Sequence, residues 1–133
     1  MVTEDYVSFE TAKLLDEKGF NIETDMYYNS EGILKIWMPN GNRSWLSNDG
    51  VKTHWCICIA PTLQSAMKWL REEKGLFIEI THESKDNFVA DVYSMTEEDE
   101  HGYYKHYEPT IACCKTYEQA CEAAIKHCLT EII

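Results

Sequence analysis

Residues 62–80, TLQSAMKWLREEKGLFIEI, hold the pattern from which the architecture is read. Thr62 suits a helix N-cap, because its hydroxyl can accept a bond from one of the first free backbone N–H groups. Leu63, Ala66, Met67 and Leu70 then recur at helical spacing. Gly75 suits the position past the helix end, where a positive φ is needed. FIEI follows as a strand. The same outline recurs at 8–24, SFETAKLLDEKGFNIET, with Ser8 as cap and Gly19 as terminator, and at 116–120, TYEQA, where Thr116 and Gln119 have capping-box spacing. Ser8, Thr62 and Thr116 are 54 residues apart in turn, and Ala12, Ala66 and Ala120 each lie four residues after a cap.

The match extends past the first helix, DEKGFNIET (16–24) resembling EEKGLFIEI (72–80). A turn follows in each half, at 29–32 and around 83–86. Strand patterns then come at 33–38 (ILKIWM) and 88–95 (FVADVYSM), then a loop at 39–53 or 96–102. A third strand lies in HWCICIA (54–60) or within 104–114. This predicts an α+β fold of two tandem αβββ repeats, about 8–61 and 62–115, within a single compact domain of residues 1–133 closed by a helix over 116–131. The short connections favour antiparallel meanders, with helices on one face of the sheet. Residues 54–60 are apolar on both alternating faces, which suits an interior strand. Tyr117, Cys121, Ala124, Cys128 and Ile132 form a core stripe on the last helix.

The pattern as a whole resembles a family of short uncharacterised proteins from phages and mobile elements of gut bacteria. The resemblance is carried by EDYVSFETAKLLDEKGF (4–20), APTLQSAMKWLREEKG (60–75) and TYEQACEAAIKHCL (116–129). It rests on helix caps and core positions and brings no catalytic residues with it. It implies a phage or prophage origin and action inside a bacterial cell.

Composition narrows the functions. The chain has 133 residues, 44% of them hydrophobic, enough for a packed core. Its 12 basic against 23 acidic residues give a net charge of −11. That field repels phosphate backbones and anionic membranes, and it suits a basic partner, a cationic ligand or plain solubility. Residues 8–75 follow the α-β-β-β-α order of a double-stranded RNA-binding domain, but only Lys68 stands near the start of the second helix, so no nucleic-acid partner is expected. No apolar run approaches the ~20 residues of a membrane span, and the acidic N-terminus lacks an export-signal core. No membrane partner is therefore expected, and a cytoplasmic location is.

The six cysteines lie among Ile, Ala and Leu, as reduced, buried thiols do. His54, Cys56 and Cys58 alternate on one strand face and form a weak candidate metal site, against which stands ordinary buried packing. Cys113 and Cys114, just before a helix cap, come closest to a nucleophile setting, again with packing as the alternative. Phosphate-binding glycine loops, a nucleophile elbow and a zinc-protease motif are all missing, so no cofactor and no catalytic residue is assigned.

Two stretches stand out as contacts. The long loop 39–53, PNGNRSWLSNDGVKT, carries Arg43 and Trp45, residue types enriched at interface hot spots. Trp45 could instead fold back onto the core. The run 97–108, EEDEHGYYKHYE, carries Tyr103, Tyr104 and Tyr107 beside an acidic turn, and is either a recognition surface for a basic partner or a solvated edge. The leading expectation is a non-catalytic protein-binding module. The alternatives are a small-ligand binder or enzyme using a cleft between the repeats, and an acidic mimic of nucleic acid.

Overall fold

A computed structural model describes residues 5–50 and 55–133. Among the described residues the fold is α+β, with three α-helices and two three-stranded antiparallel sheets. The chain divides into two compact units, Met1–Thr62 and Leu63–Ile133.

The first unit begins with α1 (Phe9–Glu17). The Ser8 hydroxyl oxygen accepts from the Thr11 N–H at 3.2 Å, and Gly19 leaves the helix with φ 94°. Thr11, Ala12 and Leu15 form its buried stripe. The strands are β1 (Met26–Asn29), β2 (Leu34–Ile36) and β3 (Cys56–Ile59), in the order β2-β1-β3. On one face of β1, Met26 and Tyr28 are buried, and the Tyr28 hydroxyl donates to the Val7 carbonyl. Tyr27 points to the other face, opposite Lys35 on β2 and Ile59 on β3.

This order departs from a meander, and β3 lies at a sheet edge, where the sequence suggested an interior strand. The long connection after β2 carries the chain back past β1 to its free side. The apolar character of β3 on both faces comes from packing: Cys56, Cys58 and Ile59 are buried, and α1 contacts the strand.

The echo between 16–24 and 72–80 also diverges in space. In the second unit β4 (Leu76–Ser84) starts directly after Gly75, whereas in the first β1 starts only at Met26. Residues 20–24 are held by the connecting loop. Asn48 Nδ2 donates to the Phe20 carbonyl at 2.8 Å, and the Asp49 N–H donates to Asn21 Oδ1 at 3.1 Å. Thr24 and Leu46 exchange two backbone bonds.

The second unit runs α2 (Leu63–Lys74), β4, β5 (Asn87–Glu98), β6 (Tyr104–Cys114) and α3 (Tyr117–His127), ending in a π-type turn over Cys128–Ile132. Here the order is the expected meander, β4-β5-β6. Leu76 faces Ser94, Ile78 faces Val92 and Ile80 faces Ala90 along one face, and all but the half-buried Ile80 are buried. Both α2 and α3 contact β4, and they contact each other. The Thr116 hydroxyl oxygen accepts from the Gln119 N–H at 3.0 Å, while Gln119 Oε1 reaches back to the Lys115 N–H, one residue before the reciprocal partner of a capping box. Ala12, Ala66 and Ala120 are each fully buried, small residues where a helix lies close to its neighbours.

The β1–β2 and β5–β6 hairpins share one turn chemistry. Asn29 Oδ1 accepts from the Glu31 and Ile33 N–H groups, and Asp99 Oδ1 accepts from those of His101 and Tyr103. Gly32 and Gly102 stand three residues on, with φ 76° and 83°, where an L side chain is disfavoured.

Candidate functional site

In the first unit, the sheet face opposite Met26 and Tyr28 is aromatic. Tyr27 meets Trp37 and Trp55 edge-on, at centroid distances of 6.0 and 6.1 Å, and the two indoles stack at 5.7 Å with 16° between their planes. Trp37 follows β2 and Trp55 precedes β3, so the β2-β1-β3 order brings them together beside Tyr27. Trp45 joins them from the loop. It is 65% exposed, so it does not fold back onto the core. Trp37, Trp45 and Trp55 line a cavity of about 300 Å³ together with Glu23, Leu46, Ser47 and Gly50.

Arg43 lies outside that lining. Its Nη2 pairs with Asp25 Oδ2 at 2.5 Å, while the Trp37 N–H donates to the Asp25 carbonyl and the Ser44 N–H to the Trp37 carbonyl. Arg43 is mostly exposed, so the pair contributes little stability and acts as a tether for the loop.

In the second unit, the face of β4 and β5 opposite Ile78 and Val92 carries Phe77, Glu79, Tyr93 and Met95. With Tyr103 and Tyr104 they line an open concavity of about 430 Å³. Tyr103 is 72% and Tyr104 58% exposed. Tyr107 is half-buried and opposite Val92, away from this concavity, with the Lys105 ammonium 5.2 Å from its ring centre.

Beside Tyr93 sits a polar cluster that the sequence did not reveal. His106 Nε2 is 2.9 Å from Asp91 Oδ1, His106 Nδ1 is 3.0 Å from Glu108 Oε1, and the Thr110 hydroxyl donates to Asp91 Oδ1 at 2.7 Å. Burial pulls the His106 pKa down. The hydrogen bonds to Asp91 and Glu108 and the charge of both carboxylates outweigh it, leaving the pKa above the ordinary histidine value. The two carboxylates take opposite ring nitrogens, each through one oxygen. Register alone explains the grouping: Asp91 and Tyr93 share the outer face of β5, and His106 stands opposite Tyr93.

The remaining candidates are placed as follows. His54 lies outside the described residues. Cys56 and Cys58 are buried, and burial pushes the Cys56 thiol up to about 11. Burial likewise raises Cys121, and lifts Cys128 to about 12. The Cys56, Cys121 and Cys128 thiols so placed stay protonated at neutral pH, which makes them poor nucleophiles. Among the described residues no group of three His, Cys, Asp or Glu side chains could hold a metal ion. Cys113 is exposed at the end of β6, with φ 64° and its N–H donated to Asn87 Oδ1. No described helix is long and apolar enough to cross a membrane.

Comparison with protein-family models, curated proteins and solved structures found no match.

Proposed function

We propose that this protein is a non-catalytic module that binds another protein, basic in character, through the aromatic surfaces around Trp45 in the first unit and Tyr103–Tyr104 in the second. The observation that carries this reading is the outer face of β4 and β5. Phe77, Met95, Tyr103 and Tyr104 are all exposed there around one concavity. Clustered exposed aromatics and Met are what a protein interface uses, since they bury much apolar area with little loss of side-chain freedom. Glu79 in that lining and the net charge of −11 favour a basic partner, attracted over long range and then held by the aromatics. The phage-family resemblance supports action in the cytoplasm of a bacterial host.

In this reading the two units are related αβββ repeats, each sheet covered by helices on one face. The shared element order, the similar caps and the buried Ala12, Ala66 and Ala120 support the relation. The different strand orders are the principal divergence between them.

Affinity capture from bacterial lysate with wild type and with a Trp45→Ala/Tyr104→Ala double variant tests the proposal. Both side chains are exposed, so the variant should keep its circular dichroism spectrum while losing the captured partner. An unchanged set of captured proteins, with the fold intact, would sink it.

A further inference from the structure

The Trp-lined cavity of the first unit combines features that a general apolar contact does not need. Three of its seven described lining residues are Trp, the ring with the strongest attraction for a cation, and one is a carboxylate, Glu23. Neither Lys nor Arg is among the described lining residues, and the nearby guanidinium of Arg43 is committed to Asp25. The indoles are pre-positioned: Trp37 and Trp55 stack on each other, and Tyr27 buttresses both edge-on. At about 300 Å³ the cavity is at the small end for ligand sites, a fit for one headgroup and not for an extended molecule.

We propose that this cavity is a receptor for a single alkylated ammonium group, held by the indoles with Glu23 supplying the counter-charge. The proposal deepens the binding reading for the first unit and rests on Trp45 being a ligand contact. Charge selects the class. Glu23 and a net charge of −11 disfavour an anion, and a neutral apolar ligand would gain nothing from the Glu23 carboxylate. Hydrogen-bond accounting then selects among cations. A primary ammonium brings three N–H donors, whereas Glu23 and Ser47 carry the only side-chain acceptors among the described lining residues. A fully alkylated ammonium brings none, is weakly hydrated, and presents methyl groups that pack against indole faces. Trp45, exposed in the free protein, is the wall through which the group enters and the contact it covers.

The test is a titration of the full-length protein with choline and with its uncharged isostere 3,3-dimethylbutan-1-ol, following the indole N–H resonances. Choline should move the resonances of Trp37, Trp45 and Trp55, with the isostere binding about tenfold more weakly, the size of a partly desolvated cation–π contribution. Glu23→Gln and Trp45→Ala, both at exposed positions, should each weaken choline about tenfold while the remaining resonances stay dispersed as in wild type. Equal binding of choline and the isostere would overturn the proposal by making the cavity merely apolar. So would unmoved indole resonances at about 50 mM choline, a concentration high enough to reveal even millimolar affinity. The titration needs no partner protein, so its failure overturns the cation receptor and leaves the lysate-capture reading standing. Choline binding that persists where capture fails supports the receptor and removes only the protein-binding reading.

Discussion

Asn48 is the residue whose loss the first unit should feel most. Its side chain is 4% exposed and makes two bonds to backbone. Nδ2 donates to the Phe20 carbonyl at 2.8 Å, and Oδ1 accepts from the Ile59 N–H at 3.0 Å. It thereby joins the segment after α1, the long loop and β3 at one point. Asn48→Ala removes both of these bonds at a buried position. Each buried bond lost costs about 1–3 kcal/mol, so the variant should lose about 2–6 kcal/mol. With a urea dependence of about 2 kcal/mol per molar, the unfolding midpoint of this unit should fall by about 1–3 M. Intrinsic fluorescence reports mainly on it, because Trp37, Trp45 and Trp55 lie in the first unit and only Trp69 in the second. Amide exchange supplies a local check: the Ile59 N–H should lose protection ahead of its neighbours in β3. A midpoint shift below about 0.3 M, well under the cost of one buried bond, would refute the reasoning. Leu46, Ser47 and Gly50 line the Trp cavity on either side of Asn48, so the same variant should weaken choline binding.

Gly32→Ala should destabilise the first hairpin by at least about 1–2 kcal/mol from its φ of 76° alone, and a Cβ there would stand 2.8 Å from Phe9 Cδ2. Thermal unfolding checks it, and Gly102→Ala, which meets no neighbour within 4 Å, should cost less. For His106 the folded pKa is raised, so the folded state holds the proton more tightly than the unfolded chain. Its contribution is present in full below about pH 6.5 and is lost as pH rises through the higher folded value. Unfolding free energies from pH 5 to 9 should decline over that window more in wild type than in His106→Gln, and parallel curves would exclude the contribution.

The parts of the fold that local chemistry dictates were legible. Ser8, Gly19, Gly75 and Thr116 act through backbone groups within four residues, and each sits where its capping role requires. Strand order was not legible, because nothing local chooses whether β3 pairs with β2 or β1. The length of the 39–53 loop was the only signal that the chain could travel past β1. The same gap hid most of the Trp cavity. Trp45 stands out in a polar loop, but Trp37 and Trp55 read as strand-end residues until the β2-β1-β3 order sets them beside Tyr27. Glu23 could not be singled out among 23 acids. In the second unit Tyr103 and Tyr104 were visible as a run. Phe77, Tyr93 and Met95 were hidden in strands whose outward face is known only from register, and the His106 cluster depends on pairing between residues 15 apart.

The hairpin tips carry a consequence for chemical ageing. Asn29 is followed by Ser30, a small residue whose backbone nitrogen can attack the side-chain amide and convert Asn to Asp. At this tip the amide is used only through its acceptor oxygen. Asp99 fills the equivalent place in the other hairpin with a carboxylate in the same pair of bonds. Direct hydrolysis at position 29 would therefore add one negative charge and leave the turn intact. The isoaspartyl product would lengthen the backbone and break it. Aged protein should thus separate into a more acidic, fully folded form and a form frayed at the β1–β2 hairpin.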